Sequence, residues 1–268
     1  MTTLFKTRRD VLRDIVDNYD KVGTAISTGY PRLDEAMGGG LYPGKFYIFA
    51  ARKKVGKTML LGGISRHLNR SANTHLWLAL EMNGMELEQR QLSRDLKINP
   101  LAFLRHRETK LQDRVREIAG NGIADNVVYC DYPGIPLNQL AAIVADAVDQ
   151  YAVTGVIIDF LQLVNGGTGD NMSVHHDAVA YTCANLAKTL NIWVVAAAQL
   201  NQEHNFRGGE GALMAADQVY HLAECEKDGA LYISLRESRY TRYMDVGTQD
   251  DPGYLIREEG PYLEEMPL

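Results

Sequence analysis

The sequence predicts an α/β fold: a mostly parallel, doubly wound sheet with antiparallel strands at one edge. Three observations carry this expectation. Short, continuously apolar runs recur at 46–49, 76–80, 126–129, 155–159 and 192–197. Continuous rather than alternating apolarity suits strands covered on both faces. Helical stretches fit between the runs, at 57–70, 85–95, 110–119, 137–151 and 177–190, which is the rhythm of strand and crossover helix. After about Val219 the rhythm changes, and 219–222, 230–235 and 254–256 read as strands with no helices between them. These three are expected to extend the sheet as antiparallel edge strands.

Before the first strand, residues 1–23 read as one amphipathic, linker-type helix with Leu4, Val11, Leu12, Ile15 and Val16 at helical spacing. It is expected to pack on the domain or on a neighbouring subunit. Its Arg8, Arg9 and Arg13 read as a solvated face before they read as a nucleic-acid contact. Residues 24–268 are expected to form one domain, since neither a Pro- or Ser-rich linker nor an internal repeat divides them.

With 268 residues, 46% of them apolar, the chain can bury a full core without disulfide or metal staples. Its net charge of −6 (28 basic, 34 acidic) does not advertise nucleic-acid binding, although a local basic surface still could. Cys130, Cys183 and Cys225 lie far apart without a C-x-x-C pair, so they read as small buried residues in a reducing compartment. The charged N-terminus lacks the apolar core of a signal peptide, and no stretch reaches the length of a membrane span. A cytoplasmic protein without membrane contact is expected.

The first strand runs into Ala51-Arg52-Lys53-Lys54-Val55-Gly56-Lys57-Thr58 and then a helix. This is the phosphate-loop pattern G-x-x-x-x-G-K-[ST] with alanine in the first glycine's place. In such loops backbone N–H groups cradle phosphates, and the helix N-terminus adds its dipole. Gly56 permits close approach, Lys57 is expected on the β- and γ-phosphates of ATP, and Thr58 on Mg²⁺. A chance G-K-T at a helix start is the plainer alternative.

Asp159 ends an apolar strand, where an acid would hold the Mg²⁺ water shell beside Thr58. It could instead cap the next segment. Glu81 follows an earlier strand, where a second carboxylate could activate the attacking water, or simply cap the helix at 85–95. Gln199 ends a further strand and could sense the γ-phosphate, or be an ordinary strand-end amide. Ligands gather at the carboxyl ends of parallel strands, and four such ends carry polar groups here.

These motifs, with Ser27-Thr28-Gly29-Tyr30, Leu33-Asp34, Gly40-Leu41 and Pro43-Gly44 before them, resemble the RecA-like ATPase domain of DnaB-type replicative helicases. KaiC and RadA relatives share the lead-in. Alanine often opens the phosphate loop in the DnaB type, as Ala51 does here. Leu80-Glu81-Met82 resembles its catalytic-glutamate motif, Ile158-Asp159-Phe160-Leu161-Gln162-Leu163 its Walker-B segment, and Gln199-Leu200-Asn201 its sensor strand. The likeness spans roughly residues 24–260.

The resemblance implies an ATP site made of Lys57, Thr58, Glu81, Asp159 and Gln199, and a ring homo-oligomer, as a hexamer. It implies that loops after Asp159 and Gln199 face single-stranded DNA, the second through Arg207, Gly208 and Gly209, and that a primase or loader is a partner. It also implies an arginine that completes the neighbour's site, for which Arg239 is the candidate; a surface arginine on an edge strand is the alternative. Glu237 stands where the family usually has a lysine, with Arg236 and Arg242 nearby. The expected DNA loops are poor in cations, with His175 and His176 in 165–177 and Arg207 in 202–211. A short helix is expected in place of the N-terminal helical domain that replicative helicases carry. The histidine pair lacks partners at metal-ligand spacing, Trp77 and Trp193 read as core, and Tyr240, Tyr243 or Tyr254 could stack on adenine. An ATP-driven DNA helicase or translocase is the function expected. A KaiC- or RadA-like regulatory or recombination ATPase, or a nucleotide-dependent scaffold without turnover, are the alternatives.

Overall fold

The computed structural model describes residues 6–17, 24–105, 109–120, 124–166, 172–201, 206, 211–224, 231–240, 255–258 and 263–265. Its strands are β1 (Phe46–Ala51), β2 (His75–Ala79), β3 (Val127–Asp131), β4 (Gly155–Asp159), β5 (Trp193–Gln199), β6 (Gln218–Glu224), β7 (Leu231–Ser238), β8 (Leu255–Glu258) and β9 (Leu263–Glu265). They form one sheet in the order β3-β2-β4-β5-β1-β6-β7-β8-β9. Every residue of β1, β2 and β4 is buried, which is why these segments are apolar without alternation. β3 closes the parallel edge and is only half-buried.

β1 to β6 pair in parallel, and β7 to β9 continue the sheet antiparallel. The expectation of antiparallel edge strands therefore holds for β7 and β8, while β6 pairs antiparallel with β7 and parallel with β1. The parallel register runs from Tyr47 opposite Gln218 to Ala50 opposite His221. After β5 the chain recrosses the molecule through the short helix α8 of Gly211–Ala215 before β6 begins. An apolar run carries no sign of its direction, and five residues are too few for a helical period to show.

The remaining helices are α1 (Arg8–Asp17), α2 (Pro31–Met37), α3 (Lys57–Arg70), α4 (Gly84–Leu96), α5 (Thr109–Gly120), α6 (Leu137–Tyr151) and α7 (Met172–Leu190). Their bounds follow local chemistry. α2 starts on Pro31, whose fixed φ suits the first turn, and stops at Gly38 in the left-handed region, φ 81°. α4 opens with a capping box: the Asn83 side chain accepts from Glu86 N at 2.9 Å, and Asn83 N donates to the Glu86 carboxylate at 3.2 Å.

Alternate residues of β1 feed two cores. Phe46, Ile48 and Ala50 pack with Leu140 and Val144 of α6 and Val179 of α7. Tyr47, Phe49 and Ala51 pack with Leu33 of α2 and Leu60 and Ile64 of α3. Trp77 and Trp193 are core, at 1% and 0% exposure. Cys183 is buried and Cys130 half-buried, while Cys225 lies outside the described residues. α1 stands apart, with no buried residue and with Val11, Leu12, Ile15 and Val16 all exposed.

Candidate active site

Parallel pairing brings the carboxyl ends of the strands to one level. Ala51 lies opposite Gln199, and Ala79 lies opposite both Asp131 and Asp159. Every side chain attached just beyond these positions therefore shares one edge of the sheet.

The loop after β1 turns through two left-handed residues, Lys54 at φ 70° and Gly56 at φ 117°. At 117° a side chain is strained, so glycine is required where the loop enters α3. Ala51 itself is buried as the last residue of β1; Arg52, Lys53 and Lys54 are exposed, and Val55 to Thr58 half-buried. Turns of this kind aim successive N–H groups inward and form an anion cradle. Across its mouth, Lys57 Nζ donates to the carbonyls of Ala51 at 3.1 Å and Arg52 at 3.2 Å. Burial holds the Lys57 ammonium below its ordinary pKa, opposed by the charges of Asp159 and Glu81.

Asp159 is 3% exposed, and burial pushes its carboxyl up to about 6, with Glu81 adding to the effect. A hydrogen bond from Thr58 and the charges of Lys57 and Arg90 pull the other way. Its Oδ1 has no hydrogen-bonding partner within the protein. A buried carboxylate oxygen without a donor, beside a hydroxyl, is an oxygen-only set suited to a hard divalent cation. Among the described residues no group of three or more His, Cys, Asp or Glu forms a metal cage, His175 and His176 included. Two protein oxygens suit Mg²⁺, which keeps waters and phosphate oxygens as its other ligands.

Glu81 is exposed, two residues beyond β2, and takes no part in capping α4. That work falls to Asn83 and Glu86, while the Asp131 carboxylate accepts from Gly84 N at 2.6 Å. Gln199 is half-buried at the end of β5. Its backbone is held on both sides by the Gln162 carboxamide: Gln199 N donates to Oε1 at 3.1 Å, and Nε2 donates to the Gln199 carbonyl at 3.0 Å. In the sequence, Gln162 stands out only as part of the segment Ile158-Asp159-Phe160-Leu161-Gln162-Leu163. A carboxamide that bonds main chain leaves no pattern in a sequence.

Arg239 is at the other end of the sheet. Its N–H donates to the Asp217 carbonyl, and Asp217 N donates to the carbonyl of Phe46, the first residue of β1. At about 3.3 Å per residue, that level is roughly 17 Å below the end of β1. The guanidinium is exposed and donates to the carbonyls of Met214 at 2.6 Å and Ala215 at 3.2 Å. Tyr240 beside it is tied to the same end: its hydroxyl donates to buried Asp217 at 2.7 Å, with Lys45 Nζ 4.3 Å from its ring centroid. Adenine stacking by Tyr240 beside the chain's own phosphate loop is therefore ruled out by position.

Arg207, Gly208 and Gly209 lie outside the described residues, as do Arg242, Tyr243 and Tyr254. α7 begins at Met172, so His175 and His176 stand on its first turns rather than on a loop. His175 bonds the Val164 carbonyl at 2.7 Å, and His176 is buried.

Residues 25–217 match the model of the DnaB-like helicase C terminal domain, and the chain belongs to that family. A probable plasmid replicative DNA helicase of Chlamydia muridarum is 27% identical over 233 residues, 86% of this chain and 51% of the relative. The replicative DNA helicase DnaB of Leifsonia xyli is 30% identical over 227 residues, 82% of this chain and 48% of the relative. The chain thus spans about half the length of the curated relatives it matches. Among solved structures, the ATPase domain of G40P superposes with a TM-score of 0.69 at 17% identity, covering 95% of this chain and 100% of that one. A DnaB-like replicative helicase, solved in a study of its interactions with primase, gives 0.74 at 18% identity, covering 97% of this chain and 67% of its own. The fold is that of RecA-like helicase ATPase domains.

Proposed function

We propose that this chain is the ATP-driven motor of a replicative-type DNA helicase, acting on single-stranded DNA as a ring homo-oligomer. The carrying observation is the gathering of Lys57, Thr58, Glu81, Asp159 and Gln199 at one sheet edge, with Arg239 at the opposite one. The loop 51–58 cradles the phosphates of ATP, and Lys57 leaves the Ala51 and Arg52 carbonyls to meet them. Thr58 and Asp159 are the residues that would hold Mg²⁺. Glu81 accepts the proton of the attacking water, and Gln199 senses the γ-phosphate. When bound, Mg²⁺ would supply neutralisation of the phosphate charge.

Arg239 is too far from its own phosphate loop to serve it, and it is exposed. In a head-to-tail ring two different surfaces of the chain meet, and an exposed arginine on the far edge serves the neighbour's γ-phosphate. The ring also gives α1 a place. Its Val11, Leu12, Ile15 and Val16 are uncovered by the described residues, and α4, the turn Pro100–Arg105 and α5 frame an apolar cavity of about 570 Å³ lined by Met85, Leu92, Phe103, Leu111 and Val115. The N-terminal segment 1–23 then acts as a linker that seats α1 on the next subunit's ATPase domain, formed by 24–268; hexamers are the ring size the family resemblance favours.

Single-stranded DNA is assigned to the loops after Asp159 and Gln199, the latter through Arg207, Gly208 and Gly209. The neighbour solved with primase in view makes a primase or loader the partner to test. Among the described residues no helix is long and apolar enough to cross a membrane.

Strand displacement on a forked duplex tests the proposal. ATP-dependent displacement by the wild type, absent in Lys57→Ala, supports it. ATP turnover without displacement favours a regulatory or recombination ATPase. ATP binding without turnover favours a scaffold.

A further inference from the structure

Two hydrogen bonds join the segment that follows Asp159 to Gln199, and both are made by one side chain. Gln162 belongs to the 3₁₀ turn Leu161–Leu163 that follows Asp159. Its carboxamide grips Gln199 at both backbone atoms, N–H and carbonyl, across two neighbouring strands. Two antiparallel hydrogen bonds from one planar amide fix orientation as well as distance, as a β-bridge does.

What lies on each side of this grip makes it more than packing. On the Gln199 side, the next residue's N–H, Leu200 N, donates to the Ala51 carbonyl at 3.0 Å. That carbonyl is also one of the two acceptors of Lys57 Nζ, at 3.1 Å. A phosphate that draws Lys57 away therefore alters the atom to which the sensor strand is tied. On the Gln162 side, the chain runs through Val164, whose carbonyl bonds His175, to Asn165. Asn165 exchanges backbone bonds with Ile135 and Leu137 at 2.8 and 2.7 Å, and its side chain donates to the Gly134 carbonyl at 3.0 Å. The segment after Asp159 is thus braced against the loop before α6 and against α7. Among the described residues, Gln162 is a side chain that joins this braced body to the strand bearing Gln199.

We propose that Gln162 is a positioning residue that makes the segments following Asp159 and Gln199 respond to bound nucleotide as one body. The inference rests on the motor reading for what the two segments then do, but not for the coupling itself.

Two measurements on the full chain test it. Amide hydrogen exchange, with and without Mg-ATPγS, is followed over 160–166 and 199–201 in wild type, Gln162→Ala and Gln162→Glu. ATP turnover is measured with and without single-stranded DNA on the same proteins. In the wild type, nucleotide slows exchange in both segments together. In Gln162→Ala the response stays at 199–201 and is lost at 160–166. The DNA stimulation of turnover falls about fivefold or more, the scale of an ordinary coupling between sites, while the ATP KM stays within about twofold. Gln162→Glu keeps the acceptor for Gln199 N–H and loses the donor, so it falls between. A joint response of both segments in Gln162→Ala overturns the proposal. So does a parallel loss of melting temperature, ATP binding and turnover, the mark of a merely structural residue. Joint exchange in a wild type that DNA does not stimulate sustains the coupling and sinks the DNA-motor reading.

Discussion

Asp159 is held where a carboxylate is poorly solvated, and its pKa records this. Because burial raises that pKa to about 6, the folded state binds this proton more tightly than the unfolded chain does. Stability from this group is thus greatest at low pH and falls as pH rises from the ordinary carboxylate range through about 6. Asp159→Asn removes the buried charge with little change of shape. It is expected to stabilise the nucleotide-free protein at pH 8 by about 1–3 kcal/mol, and by much less at pH 4.5, measured by urea unfolding. A larger gain at the lower pH contradicts this account. At this scale the sequence was most legible where chemistry demands a residue type at a fixed spacing: Gly56, Lys57 and Thr58, and an acid ending a buried strand. It was least legible for Gln162, whose partners are main-chain atoms 37 residues away.

The elements show what apolar patterning can and cannot carry. Burial on both faces made β1, β2, β4 and β5 readable as uninterrupted runs, and α3 and α6 end where the sequence said they would. β6 was readable as a strand but not as a parallel one, because direction is set by the crossover through α8 and not by the strand's own residues. α2 went unread because its seven residues are shorter than the window a helical period needs. At the start of α4 the open question was whether Glu81 caps the helix, and the capping box of Asn83 and Glu86 answers it. The two roles separate experimentally. Asn83→Ala is expected to cost about 1 kcal/mol of stability while leaving ATP binding in place. Glu81→Gln is expected to leave stability within about 0.5 kcal/mol and to remove turnover. Denaturation and turnover on the two variants check this, and reversed effects contradict it.

On the scale of the whole molecule, the parts of the proposed site lie on opposite edges of the sheet. The phosphate loop and its carboxylates stand at the carboxyl ends of the parallel strands, and Arg239 stands at the level of the first residue of β1. Under the proposed function, a fold so arranged would work only in company, with each subunit's site finished by the next. Mixing two inactive variants tests this: Lys57→Ala and Arg239→Ala, each without turnover alone, are expected to regain part of it together, since some interfaces pair an intact phosphate loop with an intact arginine. No recovery on mixing, or turnover by Arg239→Ala alone, contradicts the shared site.

The central claim, that this ATP site drives a motor on single-stranded DNA, is tested most directly by ATP hydrolysis with and without single-stranded DNA in wild type and Glu81→Ala. The account predicts turnover that DNA stimulates and that Glu81→Ala lowers by about 100-fold or more, the range a positioned general base contributes, with ATP still bound. Turnover indifferent to DNA, or undiminished in Glu81→Ala, contradicts it.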